Sequence, residues 1–307
     1  MRASVIVPTF DRARHLDSCL AGIARQTMSA DEFEVLVVDN RSTDDTSDVI
    51  ARWAAVRPGL RGVEAPIPGV SRARNVGIRE ARGDLLAFLD DDTIPEPGWL
   101  AALLHGYTLG CDVGAACGRA VLSTERPRPA WLGAITEGFF SAMDFGPEPR
   151  LLVVPPEVPW SLNLSLRADV ARAVGGFPED LGRFGTSLRS GEEFPLIHRI
   201  GDLGWRVAYE PEAVVTHAVP PERLRIQWLM RRAWAGGTTA PLVRAAVEPA
   251  FRAEPGRAAG RVAFRGWREL SRRLRGPSGT LDVLVGEAAQ RVAGIGTVWA
   301  EFRLRAR

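Results

Sequence analysis

Phe88-Leu89-Asp90-Asp91-Asp92-Thr93 carries an apolar strand end directly into three consecutive carboxylates. Adjacent negative charges repel, so a fold keeps them together where a cation or solvent neutralises them. The triplet is either a metal site or a solvated acidic turn. Its surroundings in the chain decide between the two.

Upstream, Leu85-Leu86-Ala87 makes residues 84–89 a buried-type strand, and two similar strands precede it. Residues 3–7 form an apolar, β-branched run ending at Pro8-Thr9, followed by helical recurrence through Leu16, Leu20 and Ile23. Residues 34–38 form the next run, ending at Asp39-Asn40-Arg41-Ser42-Thr43-Asp44-Asp45-Thr46, where Ser or Asp can cap a helix through Val49 and Trp53. Pro66-Ile67-Pro68-Gly69 then leads into a helix carrying Ala73-Arg74-Asn75-Val76-Gly77. Strands and helices alternating at this length predict parallel βαβ units with helices on both faces of a sheet. Ligands of such sheets bind at the carboxyl ends of the strands, which sends Thr9, Asp39 and the Asp triplet to one crevice.

Downstream, the pattern predicts a helix over 95–104, a strand over 111–122 and an irregular, Pro-rich segment over 125–159 that suits a substrate-facing loop. Trp160-Ser161-Leu162-Asn163-Leu164-Ser165-Leu166 alternates like a strand, and Gly175-Gly176-Phe177 is a turn. Gly191-Glu192-Glu193-Phe194-Pro195 opens a helix, with Pro195 in its first turn where a missing N–H costs little. Short strands over 205–207 and 213–215 follow, the second delivering His217.

Beyond Pro220 the pattern becomes helical, so the chain divides into a domain over 1–220 and a helical extension over 221–307. Ile226, Leu229, Met230, Ala233 and Trp234 form one apolar stripe. Ala263, Trp267, Leu270 and Leu274 form another, opposite Arg261, Arg265, Arg268, Arg272 and Arg275. The first 220 residues hold 22 Arg against 30 acids, and the remainder 17 Arg against 7. This acidic body with a basic tail leaves three readings for the tail: docking on an anionic membrane, packing on the domain, or self-association into a homo-oligomer.

An apolar fraction of 46% and a charged fraction of 25% exclude a disordered chain. Cys19, Cys111 and Cys117 lack CxxC spacing, so neither a zinc site nor a disulfide framework is indicated. With no charged leader, no apolar signal core and no long uncharged window, the expectation is a cytoplasmic protein, soluble or peripheral on the inner face of the membrane.

These motifs, in this order, resemble the family 2 glycosyltransferases, inverting enzymes of the GT-A fold. The likeness rests on Val5-Ile6-Val7-Pro8-Thr9-Phe10, Val38-Asp39, Ala73-Arg74-Asn75-Val76-Gly77, Asp90-Asp91-Asp92, Asn163 with Arg167, Gly175-Gly176-Phe177, Gly191-Glu192-Glu193 and His217. The resemblance implies a Rossmann-like, mostly parallel α/β sheet flanked by helices. It implies sugar transfer from a nucleotide-sugar donor, with UDP the usual nucleotide, to a saccharide, lipid-linked or small-molecule acceptor. Nucleic acid is not implied as a partner.

By the same resemblance Pro8, Thr9, Phe10, Asp39, Arg74, Asn75, Asp90 and Asp91 line the nucleotide-sugar site. Asp92 and His217 hold a divalent cation, Mn2+ or Mg2+. Glu193, with Glu192 second, removes the acceptor's proton, and Trp160 and Asn163 face the acceptor. Glu193 stands where the family commonly has Asp, and Pro195 is not a usual member of the motif. Simpler alternatives accompany each: Asp39 and Asp44 as helix caps, the Glu pair complementing a helix N-terminus, His217 and the aromatics as packing. A non-catalytic nucleotide-sugar-binding module and a nucleotidyltransferase are the competing functions. The latter wants a Gly-rich phosphate loop after the first strand, and Val7-Pro8-Thr9-Phe10 is not one.

Overall fold

A computed structural model describes residues 3–185, 187–248, 250–255, 258–259 and 281–305. Its first half is the expected alternation with one added strand: β1 (Ala3–Thr9), α1 (Ala13–Ala24), β2 (Phe33–Asp39), α2 (Thr46–Val56), the added β3 (Leu60–Glu64), α3 (Val70–Glu80) and β4 (Leu85–Leu89). Then follow β5 (Thr93–Pro95), α4 (Trp99–His105), β6 (Val113–Thr124), β7 (Arg150–Leu151), β8 (Asn163–Arg167), α5 (Ala168–Ala173), α6 (Glu193–Asp202), β9 (Arg206–Val219), α7 (Ile226–Val247) and α8 (Leu281–Arg305).

The strands line up as β3-β2-β1-β4-β8-β6-β9-β5, with β7 also on β9. The pairings among β3, β2, β1 and β4 are parallel, and β4–β8, β6–β8, β5–β9 and β7–β9 are antiparallel. Every residue of β1 is buried, as a strand covered by helices on both faces requires. Register carries the polar residues to one end: Thr9 pairs with Asp39, and Ile6 with Phe88, so Asp90 continues level with Pro8.

Several elements depart from the sequence reading, the short α5 and β7 among them. β3 was not foreseen, because it is a sheet-edge strand with only Leu60 buried, and Arg61, Gly62 and Glu64 dilute its apolar signal. Pro95 ends a strand, and the helix begins at Trp99. The two strands expected at 205–207 and 213–215 are one. Glu210-Pro211-Glu212 interrupts the apolar run, and Pro211 has no amide to give a ladder. The chain nevertheless stays extended, held by β7 at Ala208 and Tyr209 and by β5 at Val215, Thr216 and His217.

The chain separates into two units, one of Met1–Ser123, Ser141–Asp180 and Glu192–Ala218, the other of Thr124–Phe140, Leu181–Gly191 and Val219–Arg307. In the first, a continuous apolar core lies on both faces of the sheet, from Val5, Ile6 and Leu36 to Phe88, Trp99, Phe177 and Ile197. In the second, α7 and α8 meet closely: a Cβ on Gly237 would lie 1.9 Å from the Ala293 carbonyl oxygen. The stripe expected on α7 is only partly inward. Leu229 and Ala233 are buried, but Ile226 and Trp234 are exposed. Arg232, expected outside the stripe, is buried and donates to the Leu188 carbonyl and to Ser190 Oγ. Among the described residues no helix is long and apolar enough to cross a membrane. The basic helix expected around Ala263–Arg275 lies outside the described residues.

Candidate active site

Arg74 ties the site together. Its side chain, 3% exposed in α3, donates from Nη2 to Asp90 Oδ1 at 2.7 Å and from Nη1 to Glu192 Oε1 at 2.9 Å. The guanidinium also lies 5.3 Å from the Phe177 ring centroid, a cation-π distance. One planar fork thus joins the residue that follows β4 to the residue that precedes α6, 118 positions later than itself in the chain.

Glu193 opens α6 and is buried. Its Oε1 accepts from Ser161 Oγ at 2.6 Å and from the Ser161 amide at 3.1 Å. Its Oε2, and Oε2 of Glu192, have no hydrogen-bond partner among the described residues. Burial, reinforced by the neighbouring Glu192 charge and opposed by Arg74 and Ser161, pushes the Glu193 carboxyl up to about 7.

The triplet divides three ways. Asp90 faces Arg74 and is the most open, its side chain 34% exposed. Asp91 accepts from Thr9 Oγ1 at 2.8 Å and Arg12 Nη1 at 2.9 Å. Burial lifts its carboxyl to about 6 despite the Arg12 charge. Asp92 Oδ2 accepts from Arg12 Nη1 at 2.7 Å, and its Oδ1 lies 3.5 Å from His217 Nε2. His217 arrives there because it pairs with Thr93 in the β5–β9 ladder, and the Ala218 amide donates to the Asp92 carbonyl at 2.9 Å.

At the adjoining strand ends, Phe10 is exposed and Asp39 Oδ1 accepts from the Ser42 amide at 2.9 Å. Asp44, not Asp39, serves the helix start, accepting from the Thr46 amide at 3.1 Å and from the Ala13 amide at 3.0 Å. Trp160 is half-buried, its ring centroid 6.5 Å from that of Phe194, which is exposed beside Glu193.

Three assignments need correction. Asn163 does not face an acceptor: it is fully buried in β8, its Nδ2 donating to the Arg119 and Ala213 carbonyls while Oδ1 accepts from Trp99 Nε1. Asn75 is committed to the turn at Gly176, taking the Phe177 amide on Oδ1 at 2.8 Å and donating to the Phe177 carbonyl at 2.9 Å. A side chain on Gly176, at φ +70°, would strike that Oδ1 at 2.4 Å. Asp91 has both oxygens taken up by Thr9 and Arg12 and turns inward rather than to a ligand. Sequence reasoning missed Arg12, Ser161 and Phe194. Only the position of Arg12 three residues after Thr9 offered a signal.

Residues 4–149 match the sequence model of glycosyl transferase family 2. That segment carries the sequence pattern of the glycosyl transferase family 2. The matched segment contains Thr9, Asp39, Arg74 and the Asp triplet, and ends before Ser161, the Glu pair and His217. Among curated proteins it resembles glycosyltransferase AglE of Haloferax volcanii, 28% identical over 71% of this chain and 67% of AglE. It is also similar to the pre-mycofactocin glycosyltransferase of Mycobacterium tuberculosis, 29% identical over 78% of this chain, where it spans only 47% of the relative. Among solved structures, the mannosyltransferase PcManGT of Pyrobaculum calidifontis, in complex with GDP-Man and Mn2+, superposes with a TM-score of 0.62 at 22% identity. The superposition covers 97% of this chain and 87% of PcManGT, and establishes the shared GT-A fold.

Proposed function

We propose that this chain is a glycosyltransferase that moves a sugar from a nucleoside diphosphate donor to an acceptor hydroxyl with inversion, Glu193 being the base. The observation that carries the reading is the Arg74 fork, which holds the Glu pair against the Asp triplet in a buried, charged site. Pro8, Thr9, Phe10 and Asp39 at the strand ends form the nucleotide side, with Asp90 on the ribose and Arg74 near the diphosphate. UDP is the expected nucleotide, and the GDP-Man bound to PcManGT makes GDP the alternative to test.

In the transfer the acceptor oxygen bonds to the anomeric carbon as the bond from that carbon to the diphosphate breaks on the opposite side. The acceptor's proton goes to Glu193. Ser161 holds one carboxylate oxygen in place and leaves Oε2 to receive it, and a carboxyl near 7 has the basicity to accept it at neutral pH. Trp160 and Phe194 give this side an aromatic wall for an acceptor ring.

No group of three or more His, Cys, Asp or Glu side chains among the described residues forms a self-sufficient metal cage. Asp92 and His217 offer one hard oxygen and one imidazole nitrogen 3.5 Å apart. That pair fits a cation completing its shell with diphosphate oxygens, and the imidazole favours Mn2+ over Mg2+. When bound, the cation would withdraw charge from the departing nucleoside diphosphate. Asp92→Ala is expected to lower Mn2+-dependent UDP affinity on the order of tenfold or more in calorimetry. Unchanged affinity with Mn2+ present sinks the metal role of Asp92.

A further inference from the structure

A single nitrogen, Arg12 Nη1, stands 2.9 Å from Asp91 Oδ1 and 2.7 Å from Asp92 Oδ2. A cation belonging to the chain therefore sits between the two carboxylates. Both aspartate side chains are 6% exposed, whereas that of Arg12 is 29% exposed and lies toward solvent. The aspartates are fixed: Asp91 by Thr9 Oγ1, and the Asp92 backbone by the Ala218 amide. Arg12 is the member of the cluster with somewhere to go.

We propose that Arg12 is a resident counter-cation, neutralising Asp91 and Asp92 while no donor is bound and yielding Asp92 when cation and diphosphate arrive together. The proposal rests on the reading of Asp92 as the cation's ligand. Arg12 and a divalent cation on Asp92 are like charges a few ångströms apart and repel each other. The two compete for Asp92 until the diphosphate brings enough negative charge to hold both. Asp91 gains a purpose in this scheme: its contacts with Thr9 and Arg12 keep the guanidinium tethered as it turns from Asp92 to the phosphate oxygens, which its fork suits. Cation and donor then bind as one unit, and the cation alone binds poorly.

The test is titration of Mn2+ by itself, followed by calorimetry and by the electron paramagnetic resonance signal of free Mn2+, with and without UDP or GDP. Wild-type protein is expected to bind Mn2+ weakly alone and far more tightly with the nucleotide. Arg12→Gln is expected to bind Mn2+ alone on the order of tenfold tighter than wild type, because the competing charge is gone. Adding Asp92→Asn to that variant is expected to erase the gain. A merely structural Arg12 would lose metal affinity on substitution, not gain it. Arg12→Lys, whose ammonium is too short to reach both carboxylates, provides a second variant if the glutamine protein does not fold, with a smaller gain in the same direction. If folded variants gain nothing, or if the gain survives Asp92→Asn, the counter-cation proposal is overturned while nucleotide-dependent Mn2+ binding by wild type leaves the cation reading standing. If wild type binds no Mn2+ even with either nucleotide, both fall.

Discussion

Glu193→Gln is expected to slow transfer by a factor of about 100 or more while nucleotide binding and folding persist. The amide keeps the shape of the carboxyl and can still accept from the Ser161 amide and hydroxyl through its oxygen. What it cannot do is take a proton. In wild type, single-turnover rates are expected to rise with pH and level off above about 7, where the buried carboxyl ionises. The glutamine variant should show no such limb. Stability runs the other way. The folded value lies above the ordinary 4.5, so between about 4.5 and 7 the unfolded chain gives up its proton first. The ionised carboxylate therefore costs the folded state stability as pH rises through that window, and none below it. At pH 8 the glutamine variant should melt at or above the wild-type temperature. Undiminished turnover in a folded variant would move the base to Glu192 or elsewhere.

The parallel half of the sheet was legible because its strands are buried on both faces and must be continuous apolar runs, as in Ala3–Thr9 and Phe33–Asp39. Leu60–Glu64 was not, since an edge strand needs only one apolar side. Of the site, the acids could be picked out as residue types after strands or before a helix, and Arg74 only through its motif's resemblance to a known family. Their partners could not, because the Arg74–Glu192 contact spans 118 positions and depends on the sheet order. Asn75 and Asn163 were misread for one reason. An amide within a motif looks like a ligand contact, yet both fill hydrogen-bonding gaps of the backbone, at Phe177 and at Ala213. Arg12 failed in the opposite sense: an arginine after a turn reads as solvated, and nothing local shows that two carboxylates 79 and 80 positions away enclose it.

Arg74→Met is expected to be the most destabilising single change in the site. Glu192 and Glu193 are adjacent and both buried, and Arg74 is the positive charge bonded to the first and acting on the second. Burial alone would lower the arginine's own pKa, but Asp90, Glu192 and Glu193 together raise it above its ordinary value, so it stays charged. Methionine fills much of the same volume against Phe177 and removes only the charge and its hydrogen bonds. Taking one partner from a buried ion pair costs about 3–5 kcal/mol, because the remaining charge loses both water and counter-ion. For a domain of this size that is a fall of roughly 10 °C in Tm. The deficit should depend on pH. Without Arg74 the Glu193 carboxyl holds its proton to still higher pH in the folded state than unfolded, so the loss is smaller near pH 5 and grows toward pH 8. Arg74→Lys restores one charge but cannot fork to Asp90 and Glu192 together, and should recover part of the melting temperature without recovering nucleotide affinity. Scanning calorimetry of the three proteins at pH 5.5 and 8 decides the matter. A methionine variant that melts within about 2 °C of wild type at pH 8 would mean that water, rather than Arg74, balances the Glu pair.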